Sequence, residues 1–127
     1  DYVEMQWRML QQEKPDDYVI ATGRKSSVRY FIELCAKHLN WGGITWEGNG
    51  TNETGRRNDT GEIIIKVDSK FFRPAEVETL LGSPEKAYKK LGWSPTINLE
   101  ELALEMIEKD LRTAEMEKCS SNQEINK

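Results

Sequence analysis

The chain has 127 residues, of which 37% are apolar and 31% charged, and its net charge at pH 7 is -4. This length gives room for one small domain. An acidic balance argues against a nucleic-acid partner, which normally requires a basic face, although one or two arginines suffice for a local anion site. No apolar run approaches the ~20 residues that span a bilayer, so we expect no membrane partner either.

The cysteine content and the first residue bear on location. Cys35 lies in a helical apolar pattern and Cys119 in a polar tail, and we expect both to be reduced thiols of a cytosolic protein. No signal-peptide pattern is visible, and the chain begins with Asp1. We therefore expect a cytoplasmic protein and a fragment or a processed product.

The first third of the chain predicts a helix, a strand and a second helix. In residues 1–13, Val3, Trp7 and Leu10 recur at spacings of four and three, and Asp1 is a candidate cap. After a break at Pro15, the β-rich run from Tyr18 to Thr22 predicts a strand. A helix then runs from Ser26 or Ser27 to about Leu39. Its apolar stripe is Val28, Phe31, Ile32, Cys35 and Leu39.

The middle of the chain predicts two strands separated by a polar segment. Strands are expected at Ile44–Glu47 and Glu62–Val67. Residues 48–61 contain four glycines, three asparagines and no hydrophobic residue, which is typical of a mobile loop or a weak hairpin.

The last part predicts a short strand at 78–82 and two helices. Ser83-Pro84-Glu85 is typical of a helix start, and Gly92 of a helix end. Asn98 opens the longest helix, whose inward residues are expected to be Leu99, Leu102, Met106, Ile107 and Leu111. The fold class is therefore α/β, with one domain over residues 1–118 and a disordered tail over 119–127.

No catalytic residue, metal site or cofactor site is predicted. The only histidine is His38, and the two cysteines lack metal-ligand spacing. The glycines form no Gly-x-Gly-x-x-Gly turn for a dinucleotide. A Tyr-x-x-x-Lys pair, in which lysine lowers the tyrosine pKa for acid/base chemistry, does not occur either.

Binding chemistry is concentrated in Phe71-Phe72-Arg73-Pro74-Ala75-Glu76. A guanidinium such as that of Arg73 can hold two phosphate oxygens, and a carboxylate such as that of Glu76 can accept hydrogen bonds from two ribose hydroxyls. The competing interpretation is a surface ion pair between Arg73 and Glu76, worth about 0.2–0.5 kcal/mol. From the residues alone, the ion pair is favoured.

The order of motifs resembles the C-terminal part of the GDP-mannose 4,6-dehydratase family, a branch of the extended short-chain dehydrogenases. The most specific block is the run from Val67 to Val77, and Lys86-Ala87 with Leu91-Gly92-Trp93 follows it. The similarity extends over nearly the whole chain. Ser83 and Ser69-Lys70 depart from the family's usual Asp and Pro-Arg. We expect no loss of function from Ser83, which caps a helix equally well, and we expect Ser69-Lys70 to alter the approach to Phe71 but not its place.

The resemblance implies a role for this chain within a larger enzyme. The family removes water from GDP-mannose to give GDP-4-keto-6-deoxymannose, a step towards GDP-fucose, while a tightly held NADP takes a hydride from C4 and returns it at C6. The resemblance assigns Arg73 and Glu76 to the nucleotide of the substrate. It places the NADP site and the catalytic residues in an N-terminal Rossmann half absent from this chain, and it implies a homo-oligomer when intact.

Two other hypotheses stay open. The chain could be part of another nucleotide-sugar epimerase or dehydratase, which the guanine-contacting region would distinguish. It could also be a free-standing nucleotide-binding or interaction module, which the natural start of the reading frame would distinguish.

Overall fold

The computed structural model describes residues 1–73, residue 75 and residues 80–125, and side chains as far as residue 120. Within these ranges the chain forms four α-helices, three β-strands and a short 3-10 helix. The helices are α1 (Tyr2–Leu10), α2 (Val28–His38), α3 (Glu85–Leu91) and α4 (Leu99–Ile125). The strands are β1 (Ile44–Glu47), β2 (Thr54–Arg57) and β3 (Ile63–Lys66), and the 3-10 helix is Gly50–Asn52.

The chain divides into two compact units, each built from two segments. Unit 1 comprises residues 1–27 and 73–98, and unit 2 comprises residues 28–72 and 99–127. Unit 1 contains α1 and α3, whereas unit 2 contains α2, α4 and all three strands.

The core of unit 1 is small and centres on a tryptophan. Trp93 is 1% exposed and packs with Met5 and Ala87, both fully buried. Met9, Tyr18, Ile20 and Leu91 complete this cluster from its edges. Helix α3 ends as predicted, because Gly92 takes the left-handed conformation at φ 62° and its N–H donates to the Tyr88 carbonyl at 3.0 Å.

Unit 2 is built on an antiparallel sheet with β2 in the centre. Strand β1 pairs with β2 from Ile44 opposite Arg57 to Glu47 opposite Thr54. Strand β3 pairs with the other edge of β2, with an irregularity between Gly55 and Arg56. Helix α4 packs on α2 in the same unit, where Leu34, Ala36 and Ala103 are buried.

The central strand corrects one prediction. Residues 48–61 were expected to form a mobile loop or a weak hairpin, yet they contain the 3-10 helix and β2. The segment lacks hydrophobic residues, and this misled the prediction. Gly55 is buried, and its missing side chain leaves room for Trp46 and Ile65. A strand can therefore be central without apolar side chains of its own.

The strand predicted at Tyr18–Thr22 is not formed. A strand requires a hydrogen-bonded neighbour, and the described residues of unit 1 include no strand that could supply one. Of the strand predicted at 78–82, residues 78 and 79 lie outside the described residues, and residues 80–82 form no strand.

Two helices expose residues that were expected to face inward. On α1 the stripe Val3, Trp7 and Leu10 is exposed, and Met5 on another face is buried instead. On α4 Ala103 is buried, and the predicted inward residues Leu99 and Ile107 are half-buried on the same face, whereas Leu102, Met106 and Leu111 are exposed. Spacing identified both helices; it selected the exposed face of α1, which has apolar residues on two faces, and only part of the inward face of α4.

The C-terminal helix is longer than expected. Helix α4 runs to Ile125, into the segment for which a disordered tail was predicted, and residues 126 and 127 lie outside the described residues. The boundary of a domain at residue 118 stays a prediction. In the part of the chain that the structure describes, no helix combines the length and apolar character that crossing a bilayer requires.

Candidate nucleotide-binding segment

The predicted nucleotide contact Arg73 follows a turn at the end of β3. The Asp68 side chain accepts the Lys70 N–H at 2.9 Å, and the Asp68 carbonyl accepts the Phe71 N–H at 3.1 Å. This turn leads the chain out of the sheet and directly into Phe71, Phe72 and Arg73.

The residues around this turn expose a cation and two aromatic rings. Phe71 is 73% exposed and Phe72 is 45% exposed, and the Arg73 side chain is exposed as well. The Lys70 ammonium lies 5.4 Å from the centre of the Phe71 ring. Exposed aromatic faces can stack on a base, and a guanidinium can hold a phosphate. This segment therefore exposes groups of the kind that contact bases and phosphates, and its role in binding a nucleotide stays a prediction.

The predicted partner of Arg73 is outside the described part of the chain. Glu76, like Pro74 between them, is not among the described residues. The structure thus places Arg73 on an exposed segment and leaves the pairing of Arg73 with Glu76 as a prediction.

Two adjacent arginines, Arg56 and Arg57, lie in the segment that was expected to be a loop. Arg57 donates from Nε to Asp59 Oδ1 at 3.0 Å and from Nη2 to Asp59 Oδ2 at 2.7 Å, and its guanidinium lies 4.3 Å from the Trp41 ring centre. Arg56 donates to the Gly61 carbonyl. Both guanidinium groups make contacts within unit 2. These contacts favour a structural role for the two arginines over a role in a lid that binds phosphate.

Two tyrosines, Tyr30 and Tyr18, contact charged side chains. Tyr30 donates its hydroxyl proton to Glu100 at 2.7 Å, and this hydrogen bond raises the pKa of Tyr30. Catalysis by a tyrosine near neutral pH requires the opposite shift. The Lys86 ammonium lies over the face of the Tyr18 ring, 5.1 Å from its centre, and binds Asp16.

The histidine and the partly buried cysteine are candidates for metal binding and for thiol reactivity, respectively. His38 is the last residue of α2 and is partly buried. Burial raises the pKa of the Cys35 thiol, which disfavours the reactive thiolate. Among the described residues no group of three or more histidine, cysteine or acidic side chains could hold a metal ion.

Sequence reasoning missed a polar network around Trp46 in unit 2. Arg29 pairs with Glu53 and lies 4.7 Å from the centre of the Trp46 ring. The Trp46 indole N–H donates to Glu33 at 3.0 Å. Sequence spacing gives no signal for these contacts, because they join α2 to residues at least 13 positions away. They hold the helix on the sheet rather than form an open site.

Comparison with known proteins identifies the family. The sequence model of the family described as GDP-mannose 4,6 dehydratase matches residues 1–106. The chain belongs to the GDP-mannose 4,6-dehydratase family. This match includes Arg73, Glu76 and both sequence blocks that carried the resemblance.

Curated members of the GDP-mannose 4,6-dehydratase family are similar to the chain along most of its length. A GDP-mannose 4,6-dehydratase of Vibrio cholerae is 48% identical over 125 residues, which cover 91% of this chain and 33% of that protein. A Caenorhabditis elegans GDP-mannose 4,6 dehydratase is 49% identical, with 91% and 30% covered, and the human enzyme is 46% identical, with 87% and 30% covered. The chain spans about a third of the length of these relatives.

Proposed function

We infer that the chain is the C-terminal, substrate-binding part of an NADP-dependent GDP-mannose 4,6-dehydratase of the extended short-chain dehydrogenase type. The whole enzyme converts GDP-mannose into GDP-4-keto-6-deoxymannose by loss of water. The observation that carries this proposal is the family match over residues 1–106, because it includes the exposed Phe71-Phe72-Arg73 segment.

The role of the chain in this enzyme is to bind the nucleotide. Arg73 holds phosphate oxygens of GDP-mannose through its planar fork of N–H donors, and Glu76 accepts hydrogen bonds from ribose hydroxyls. The proposal prefers this role to a simple surface ion pair because the family match includes both Arg73 and Glu76.

The chain does not fit NADP. A dinucleotide site in this enzyme class requires a glycine-rich turn after a strand of a parallel sheet. The described sheet is antiparallel, and its strands are joined by a 3-10 helix and a hairpin turn. We therefore assign the cofactor and the acid/base residues to a Rossmann half outside this chain. The complete enzyme is proposed to be cytoplasmic and homo-oligomeric.

A hybrid enzyme tests the proposed function. This chain replaces the matching third of the Vibrio cholerae enzyme, and the hybrid is incubated with GDP-mannose. The expected product is the 4-keto-6-deoxy sugar nucleotide, detected by mass spectrometry as the loss of one water. A hybrid that folds and binds NADP but neither binds nor converts GDP-mannose would contradict the proposal, and turnover of a different sugar nucleotide would favour another dehydratase or epimerase.

A further inference from the structure

The connection between β1 and β2 contains an asparagine followed by a glycine, Asn49-Gly50. In such a pair the backbone nitrogen of the second residue can attack the side-chain amide of the first and close a succinimide ring. Glycine favours this attack, because it has no β-carbon to hinder the nitrogen and its backbone adopts more conformations than that of other residues. The rate in a folded protein then depends on how firmly the fold holds the two reacting groups.

Within the described part of the chain, the fold holds neither reacting group of this pair. Both residues are exposed, and a β-carbon built on Gly50 would have no atom within 4 Å. The Asn49 side chain makes no capping hydrogen bond to the 3-10 helix that follows it. Gly50 is the first residue of that helix, and the N–H groups at the start of a helix have no partner within it. The attacking nitrogen and the amide are therefore both available.

Asn58 in the same segment shows the opposite arrangement. Its side-chain amide donates to the Gly42 carbonyl at 2.9 Å and accepts from the Thr45 hydroxyl at 2.7 Å. The backbone N–H of the next residue, Asp59, donates to the Trp41 carbonyl at 3.1 Å. The amide and the attacking nitrogen are both engaged there, so a reaction at Asn58 must first break these hydrogen bonds.

Attack at Asn49 requires a smaller rearrangement. The residue is extended, with φ -144° and ψ 151°, and the Gly50 nitrogen reaches the side-chain carbonyl carbon only after rotation about ψ. This rotation breaks the hydrogen bond in which the Asn52 N–H donates to the Asn49 carbonyl at 3.1 Å. A single 3-10 turn has poor hydrogen-bond geometry, and an exposed one opens at low cost. We therefore expect folding to slow the reaction at Asn49 only slightly.

We propose that Asn49 is a deamidation site in the folded protein. The Gly50 nitrogen bonds to the side-chain carbonyl carbon of Asn49, the amide C–N bond breaks, and the amide nitrogen leaves as ammonia with the proton from Gly50. Water then opens the succinimide ring at either carbonyl and gives aspartate or isoaspartate. One ammonia is lost and one water is gained, and no further reactant is needed. This inference does not depend on the proposed function.

Isoaspartate changes the connection itself, since it places one extra carbon in the main chain of the turn. The turn has little room for this atom, because even a β-carbon on Gly48 would collide with the Asn52 carbonyl. The Glu53 N–H donates to the Gly50 carbonyl at 3.2 Å, and the Glu53 carboxylate pairs with Arg29 of α2. The longer backbone should therefore disturb the end of the sheet and its ion pair with α2.

A time course on the 127-residue chain tests the reaction. Folded chain and chain unfolded in guanidinium chloride are incubated at the same mildly alkaline pH, and peptide mapping by mass spectrometry with electron-transfer fragmentation measures aspartate and isoaspartate at each asparagine. Asn49 should react in the folded chain within several-fold of its rate in the unfolded chain, with isoaspartate as the main product. Folding should slow Asn58 far more. Equal protection of the two asparagines, or an unchanged Asn49, would overturn the proposal.

Two substitutions separate the new charge from the extra carbon. Asn49→Asp supplies the charge alone and should melt like the fresh unmodified chain, because the residue is exposed. Asn49→Gln keeps an amide but requires a larger ring, which closes much more slowly, so incubation should not change its melting temperature. The incubated unmodified chain should melt roughly 3 °C or more below both variants.

Each alternative outcome contradicts a stated part of the proposal. An incubated chain that contains isoaspartate and melts like Asn49→Asp would show that the turn accommodates the extra carbon. An equal loss of melting temperature in incubated Asn49→Gln would place the damage at another residue. Because these measurements use neither GDP-mannose nor NADP, their results leave the proposed function untouched.

Discussion

The indole N–H of Trp93 donates to the backbone carbonyl of Asp1 at 3.0 Å, joining two positions 92 residues apart. The Asp1 carboxylate also accepts the backbone N–H groups of Thr96 at 3.0 Å and Ile97 at 2.9 Å. Asp1 was predicted to cap α1, and it does occupy the cap position, but its side chain makes no capping hydrogen bond. Its carboxylate instead fixes the turn after Trp93 beside the start of α1.

Replacing Trp93 by alanine should destabilise unit 1 by about 3–5 kcal/mol, the usual cost of removing a buried tryptophan. Trp93 is 1% exposed, and its removal would leave a cavity against Met5 and Ala87. Urea unfolding followed by far-UV circular dichroism gives the change. Trp7→Ala is the matched control, because Trp7 is 61% exposed and should cost less than about 0.5 kcal/mol. Similar losses for both would contradict the assigned core.

Gly55→Ala should destabilise unit 2 by about 1–3 kcal/mol through overpacking of the sheet. A β-carbon at this position would lie 2.9 Å from Ile65 Cδ1 and 3.0 Å from Trp46 Cζ3. The thermal unfolding of unit 2 measures the effect, and Lys66→Ala on the exposed side of β3 is the control. If Gly55→Ala were as stable as the unmodified chain, β2 would not be packed between its neighbours.

Replacing 49–59 with a flexible linker should likewise damage the sheet, since it removes β2.

The sequence predicted what local patterns determine and missed what distant contacts determine. Helices α2 and α3, strands β1 and β3 and the Gly92 terminus are all confirmed, because periodicity and capping residues encode them locally. Strand β2 was missed since its stability comes from side chains of the neighbouring strands. The binding role of Arg73 stays a prediction, and the network around Trp46 was missed because it depends on tertiary contacts that spacing does not reveal.

The stability contributed by Asp16 should be lost at low pH. Hydrogen bonds from Lys86 at 2.6 Å and Lys90 at 2.8 Å hold the pKa of Asp16 well below its ordinary value of 3.8. A carboxyl whose pKa is lowered on folding stabilises the protein fully above its ordinary pKa, and this contribution declines as pH falls through the folded pKa. The difference in melting temperature between the unmodified chain and Asp16→Asn should therefore be constant from pH 7 to about pH 5 and shrink by pH 3.

A measurement at high salt is the control for the two ion pairs of Asp16, with Lys86 and with Lys90. All three side chains are well exposed, so the effect should be small and should weaken in 1 M salt, where the screening length is about 3 Å. A difference that stayed constant down to pH 3, or that ignored salt, would show that Asp16 acts through its hydrogen bonds to the backbone rather than through its charge.

The chain by itself should neither convert GDP-mannose nor bind NADP. It lacks a glycine-rich turn and a Tyr-x-x-x-Lys pair, and the hydroxyl of Tyr30 is bound to Glu100. Calorimetric titration with NADP and a turnover assay on the purified chain measure both properties, with the hybrid enzyme as the positive control. Saturable NADP binding by the chain would mean that a cofactor site exists among these residues.

Arg73→Ala should weaken GDP binding to the hybrid enzyme about tenfold or more and leave its melting temperature nearly unchanged. A charge-assisted hydrogen bond to a phosphate contributes on the order of 1.5–3 kcal/mol, whereas removing an exposed side chain costs little stability. Arg73→Lys keeps the charge but loses the planar fork of N–H donors. The GDP affinity of this variant should therefore lie between that of the unmodified hybrid and that of Arg73→Ala. Arg112→Ala on α4 removes another exposed arginine and should not alter GDP affinity.

The two interpretations of Arg73 then separate in one experiment. If Arg73 served only in a surface ion pair with Glu76, the alanine variant would bind GDP as tightly as the unmodified hybrid. Glu76→Gln distinguishes them further, because a carboxylate that accepts hydrogen bonds from ribose hydroxyls should matter for GDP but not for inorganic pyrophosphate. Loss of GDP affinity in both variants, with pyrophosphate affinity lost only on removal of Arg73, would assign the phosphates to the arginine and the ribose to the glutamate.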